Sequence, residues 1–552
     1  MALRLGQSRS GKPRGGQPLV RAKRAWHAGG RTAVVLAATA ILTATTATMA
    51  VGPASASAAG PASASRITAP VLLSAAPLGL NTAPWDYEYA ANASAGGGLD
   101  QIQPLLQAAG IDQLRYGGGS YADYYDFQTN TNIQNCLPDN ATASFTSSCS
   151  SSDSLAFTQF SSQARAVGAQ SFVTVNYGSG TPAEAAAWVA QAKATPGQRV
   201  ALWEVGNENY GCWEVNNELA GPPENFAGYT PNTYTTVNGV FENPTCPQTT
   251  QGNAAGTQTL ATSYAVNALP FLTAMKAADP AARIGVPWAF DNTVAGAGVP
   301  FNSEWNNTVL GTDGKYVSFV DAHYYPFFFG GSTGGSNPTD QQVLQALFQV
   351  PSLYSGIRAE LNAYDPKASV VVGETNVSNN ETTTACTPTG ALFAAGDVLS
   401  WLAAGAKSVD YWDMNNYGNT TTSCTGPDFG LFTSSAPAAA ETPYYGYLLA
   451  SLLARPHALL ATLRTSDPAD VLGYQALVPG GKYTVAFINT NTSSAETVRF
   501  HAPLSGTLRT WSYSAGNQNA ANSTIVTGTA AAASVAGGIT LPAESITILQ
   551  TR

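Results

Sequence analysis

From residue 77 onward, short apolar runs alternate with longer stretches whose apolar positions recur at helical spacing. This is the pattern of parallel strands joined by helices. Eight runs read as strands: 77–81, 113–117, 171–177, 200–207, 283–289, 319–325, 369–374 and 408–415. Helices are predicted between them at 99–109, 154–167, 182–194, 258–278, 340–363, 391–404 and 443–453, and the connection around 302–310 has the weakest periodicity. The run Thr181-Pro182-Ala183-Glu184 carries a helix start, with a hydroxyl to cap, a proline for the first turn and an acid near the dipole. Eight strand–helix units predict an α/β fold, a (β/α)8 TIM barrel. A doubly wound sheet is the alternative, but no Gly-rich dinucleotide or phosphate loop follows the first strand.

Near residue 455 the period shortens to two, in Val471-Leu-Gly-Tyr-Gln-Ala-Leu-Val, Tyr483-Thr-Val-Ala-Phe-Ile-Asn and Ser545-Ile-Thr-Ile-Leu. Residues 455–552 are therefore expected to form a C-terminal antiparallel β-sandwich domain beside a barrel of 66–454. Residues 67–74 are also β-like and are a candidate strand of the sandwich.

The first 58 residues hold eight Lys/Arg and no acid, then an Ala/Leu/Thr-rich stretch at 32–51 followed by Ala54, Ala56 and Ala58. That pattern predicts a signal peptide and leader, and so a secreted, extracellular protein. The apolar stretch is too weakly hydrophobic for a stable membrane anchor, and the absence of an Arg-Arg pair favours the ordinary secretory route. Without the leader, 17 Lys/Arg face 34 Asp/Glu, a balance of −17 that excludes nucleic acid as a partner. Only 11% of residues are charged, which suits a neutral, hydroxyl-rich ligand.

Cys136, Cys149, Cys212, Cys246, Cys386 and Cys424 make an even set in an exported chain and predict three disulfides, expected in sequential pairing. No Cys-x-x-Cys occurs and His is scarce, so no metal site and no cofactor is expected.

Two glutamates stand where chemistry is expected. Glu208 ends Trp203-Glu-Val-Gly-Asn-Glu208, and Glu374 ends Val370-Val-Val-Gly-Glu374. A carboxylate just past the C-terminal end of a barrel strand is partly desolvated yet can still reach a ligand. Two such groups on converging strands can divide acid and nucleophile roles across a glycosidic bond. Tyr210 and Trp213 would shield Glu208 and raise its pKa, as a proton donor needs. Arg115 and Tyr325 would keep Glu374 charged. His323 is a further candidate at the same mouth, and Trp85, Tyr177, Trp288, Trp412 and Tyr417 stand at strand ends where rings can stack on sugars. Each has a plain alternative: Arg115 as an ion pair in the barrel base, His323 as a satisfied interior histidine, Trp412 as core.

The segments Trp203-Glu-Val-Gly-Asn-Glu-Asn-Tyr-Gly, Leu114-Arg-Tyr-Gly-Gly-Gly-Ser, Val175-Asn-Tyr-Gly-Ser-Gly-Thr-Pro and Val372-Gly-Glu-Thr-Asn resemble retaining glycoside hydrolases of clan A, over nearly the whole chain after the leader. The resemblance implies an acid/base Glu208 after the fourth strand and a nucleophile Glu374 after the seventh. It also implies that Asn207 holds a sugar hydroxyl and that Arg115 and Tyr325 hold Glu374; Asn176 lies in a matching segment and joins the substrate-binding candidates. The implied activity is α-L-arabinofuranosidase-like, releasing a terminal sugar from plant oligo- or polysaccharide, with the β-glucuronidase and heparanase-like branch second. Other clan activities (xylosidase, galactosidase, endo-glycanase) and a non-catalytic carbohydrate-binding protein are the alternatives. Sugar identity, exo or endo action and oligomeric state have no signature in the sequence.

Overall fold

All eight apolar runs become strands, and they close on one another in chain order. A computed structural model describes residues 63–66, 69–84, 86, 99–132, 155–211, 214, 235–237, 240–242, 254–290, 303–327, 338–379, 384, 387–415, 429–433, 438–500, 502–514, 518–519, 522–523 and 525–552. The leader, the six cysteines, Trp85, Trp213 and Tyr417 lie outside the described residues. The barrel strands are Leu78–Thr82, Gln113–Tyr116, Gln170–Val175, Val200–Val205, Ile284–Trp288, Phe319–Tyr324, Ser369–Thr375 and Val409–Tyr411, the first pairing with the last to close the ring. Every neighbouring pair is parallel.

Alternation along the strands divides the side chains into two sets. Leu114, Tyr116, Val173, Val175, Trp203, Val205, Val370 and Val372 pack in the core between strands and helices. The intervening residues fill the barrel. At its base Phe172, Leu202, Phe319 and Val371 form a separate apolar plug, with Phe172 and Phe319 edge to face at 5.6 Å. Above the plug the interior turns polar: Arg115, Glu204 and Asp321 are all buried.

The helices follow the sequence pattern with one break. Pro182–Ala194 starts as expected, the Thr181 hydroxyl accepting a hydrogen bond from the Glu184 N–H at 3.1 Å. The expected helix 340–363 is instead Asp340–Ala346 and Val350–Tyr364, separated by a 3-10 turn at Leu347–Gln349. Pro351 supplies no N–H and fits only the first turn of a new helix. The weakly periodic connection also forms a helix, Ser303–Asp313.

The C-terminal residues form an antiparallel sheet system with strands that include Leu459–Arg464, Val471–Val478, Lys482–Asn489, Thr507–Ser514 and Ser545–Thr551. Ser63–Arg66 and Val71–Leu72 both pair antiparallel with Leu459–Arg464, so the segment before the barrel belongs to this sheet. Pro388–Ala404 lies between the two layers. It is apolar all round and buried along nearly its whole length, and Ser400 Oγ meets Tyr474 Oη at 2.6 Å. A helix with no polar face must be covered on every side. Among the described residues no helix is long and apolar enough to cross a membrane.

Candidate active site

The polar upper half of the barrel is organised around Arg115, which is 1% exposed. Its guanidinium donates to Glu374 Oε1 at 2.7 Å and Asn81 Oδ1 at 3.0 Å from Nη1, and to Glu204 Oε2 at 2.8 Å and Asn207 Oδ1 at 2.9 Å from Nη2. Nε lies 3.6 Å from Asp321 Oδ2, and the Phe172 ring of the apolar plug lies beneath, 5.4 Å from the guanidinium carbon. One cation thus faces three carboxylates, which, despite the cost of burial, hold its pKa well above the ordinary value. Glu204, fully buried, is pushed up to about 8 by desolvation and by Asp321, with Arg115 opposing.

Glu374 reaches this layer through a bulge. Ala322 pairs with Val372 but His323 pairs with Glu374, leaving Gly373 as an extra residue in the seventh strand. Strict alternation would set Glu374 on the face of Val370 and Val372, toward the helices. The bulge turns it inward beside His323, the re-aiming that such irregularities perform. Only glycine fits there, because a Cβ on Gly373 would overlap the Asp321 carboxylate. The Asn81 amide secures the bulge by donating to the Gly373 carbonyl at 2.7 Å. Gly373→Ala is therefore expected to destabilise the fold by about 1–3 kcal/mol and to lower kcat about 100-fold, since a displacement near 1 Å suffices for that. Urea unfolding and steady-state kinetics check both, and an unchanged kcat would show that the bulge does not set the Glu374 position.

Glu208 arrives by a different device. The fourth strand ends at Val205; Gly206 takes φ +78° and Glu208 φ +45°, so the chain leaves the pleat and Asn207 and Glu208 both turn to the mouth. A left-handed φ on a non-glycine residue costs on the order of 1 kcal/mol. Side-chain hydrogen bonds oppose that cost: Tyr210 Oη donates to Glu208 Oε1 at 3.0 Å, and His323 Nδ1 lies 2.9 Å from the same oxygen. His323 Nδ1 also lies 3.4 Å from Glu374 Oε2, which accepts from Tyr325 Oη at 2.8 Å. One carboxylate oxygen each of Glu208 and Glu374, with a ring nitrogen of His323, all fall within 4.8 Å of one another. The Glu208 side chain is 18% exposed and that of Glu374 6%, so both sit at a partly open mouth.

The electrostatics follow from burial and crowding. Desolvation raises the Glu374 carboxyl, opposed by the His323 and Arg115 charges and aided by Glu208. The expected charge-stabilising donors are present, but burial outweighs them. Burial favours a neutral His323, yet Glu374, Asp321 and Glu208 together lift its pKa well above the ordinary value. Arg115 thus supplies positive charge to the carboxylates of this cluster, with His323 drawn toward its charged form beside it.

Other expected site residues divide. Asn207 is in the network, accepting from Arg115 and donating to Glu214 Oε1 at 3.0 Å. Trp412 is half-buried and packs over Gly119. The Asn176 amide closes its own turn, accepting from the Ser179 and Gly180 N–H groups at 2.9 and 3.0 Å and donating to Tyr125 O. Tyr177 and Trp288 are corrected as sugar-stacking rings, being buried on the helix side of the barrel, Tyr177 against Tyr264 at 4.9 Å. Asn81, Asp321, Glu204 and Glu214 were not anticipated as site residues. Asp321 and Glu204 had a legible signal, each lying on the interior face of a strand whose end carries His323 or Glu208.

No protein-family model matches the sequence, and no curated protein matches it. Solved structures do match in fold. The α-L-arabinofuranosidase from Thermotoga maritima, solved as an arabinose complex, superposes with a TM-score of 0.59 at 14% identity, covering 88% of this chain and 98% of that one. The GH51 arabinofuranosidase from Xanthomonas axonopodis pv. citri gives 0.61 at 16% identity, covering 89% and 99%. A 4-O-α-L-rhamnosyl-β-D-glucuronidase from Fusarium oxysporum gives 0.54 at 14%, covering 88% and 98%. The chain thus shares the barrel-and-sandwich architecture of these glycoside hydrolases across nearly their full length.

Proposed function

We propose that the protein is an exported retaining glycoside hydrolase that releases terminal α-L-arabinofuranose from plant oligo- or polysaccharide. The observation that carries this reading is the approach of Glu208 and Glu374 to within 4.8 Å across the barrel mouth. An upper bound of 4.8 Å between these oxygens falls short of the roughly 6.5–9.5 Å of inverting pairs and leaves no room for the water that such a pair needs. Glu208, the more exposed acid, protonates the departing oxygen while Glu374 attacks the anomeric carbon to form a glycosyl ester. Glu208 then takes a proton from water as the water displaces Glu374, returning the starting configuration. Arg115 and Tyr325 orient the attacking carboxylate. The arabinofuranosidases among the structural neighbours support the choice of sugar, and the basic, apolar-flanked leader supports export.

A panel of aryl glycosides, followed by NMR of the first-formed sugar, tests the reading. Turnover of the α-L-arabinofuranoside with retained configuration is expected. Turnover confined to β-D-glucuronides would move the substrate to that branch, and inverted product would end the two-step mechanism. For Glu208→Ala, hydrolysis of an unactivated leaving group should fall about 10²–10⁴-fold, while glycosylation by a dinitrophenyl glycoside, which needs no proton, should persist. Equal losses for both leaving groups would remove Glu208 from the acid role.

A further inference from the structure

At the end of the barrel opposite Glu208 and Glu374, the starts of the third, fourth and fifth strands surround a cavity of about 1050 Å³. Arg165, Lys193, Arg199 and Arg283 line it, and Asp279 is the only acid doing so among the described residues. Such a concentration is unexpected in a chain with 34 Asp/Glu to 25 Lys/Arg. Asp279 is already paired with Lys193 at 3.0 Å, and none of the three arginines has an ion pair among the described residues.

Two further features concern how this charge is held. Gly197 takes φ +84°, and a Cβ there would overlap the Arg165 guanidinium, so this side chain lies against the loop entering the fourth strand. Outside the cavity lining, burial and the Arg283 charge push Lys407 down to about 8, and burial with Arg283, opposed by Asp279, lowers Lys276. Like charges gathered around a single acid disfavour the folded state, and an anion entering the cavity relieves the repulsion.

We propose that this cavity is a second binding site, for an oxyanion, either the paired carboxylates of an acidic oligosaccharide or free phosphate. Guanidinium forks bind such groups bidentately, and the volume is of the order of small-ligand sites, about 300–1,000 Å³. Because the cavity opens away from the mouth, its occupant does not compete with substrate for Glu208 and Glu374.

Isothermal titration of the full chain with digalacturonate, and separately with inorganic phosphate, each at constant ionic strength set with chloride, tests the site. At least one probe is expected to bind, and which one does identifies the source of the oxyanion. The exposed pair Arg165→Gln with Arg199→Gln should weaken binding about tenfold or more, the scale of losing charge-assisted hydrogen bonds, whereas Glu374→Gln should leave the affinity unchanged. As a second readout, the bound probe should protect Lys193 from acetylation in the unmodified chain. Binding of neither probe, full affinity in the double variant, loss of affinity in Glu374→Gln, or no protection of Lys193 would overturn the proposal.

Discussion

Turnover by Glu374→Gly is expected to fall at least about 10⁴-fold, the scale of removing a covalent nucleophile, and azide should restore part of it. The vacated space beside the anomeric carbon then admits the azide ion, which forms the C–N bond as the leaving oxygen departs with a proton from Glu208. A single displacement produces a glycosyl azide of inverted configuration. The matching experiment with Glu208→Gly should give the retained azide, because there azide opens the ester already formed by Glu374. The two opposite outcomes assign the roles; the reversed pattern would exchange them, and identical product configurations would reject them. In the proposed mechanism the charged form of Glu374 is the one that attacks. Its pKa is raised by burial, so the acid limb of kcat/KM should lie above the ordinary glutamate value of 4.5. A limb at or below that value would mean that Arg115 and His323 outweigh burial.

The strands were legible because burial on both faces leaves a strong apolar record: Val370-Val-Val372 and Phe319-Val320 are apolar on the helix side and at the barrel base alike. The position of Glu208 was legible because Gly206 marks where the chain leaves the pleat. The orientation of Glu374 was not. Strict alternation groups it with Val370 and Val372, and only pairing with the sixth strand shows the extra residue at Gly373. Asn81 escaped notice for a related reason, since its contacts with Gly373 O and Arg115 join residues 292 and 34 positions away. Tyr177 misled because a residue at a strand's end can serve the helix layer as readily as the mouth, and local pattern does not separate these.

Arg115→Met should be the most destabilising single change in the barrel, costing about 3–5 kcal/mol at neutral pH, because it leaves buried carboxylates without their cation. Methionine fills much of the space above Phe172, so the loss is mainly electrostatic rather than a cavity effect. Among the described residues, Glu204, Asp321 and Glu374 then share the interior with His323 as their remaining basic neighbour. Glu204 already has a folded-state pKa near 8 with Arg115 present, and removing the arginine raises it further. A carboxyl raised on folding contributes its stability fully below its unfolded pKa, near 4.3, and loses it as pH rises through the folded value. Below the unmodified protein's folded value near 8 both proteins follow the same slope, so their difference should stay nearly level from about pH 5 to pH 7 and widen above pH 8, a contrast that about pH 7 and pH 9 separate. Urea unfolding at the two pH values measures it. An equal penalty at both, or a loss below about 1 kcal/mol, would mean that the carboxylates are satisfied without Arg115 and that the guanidinium serves only to aim Glu374.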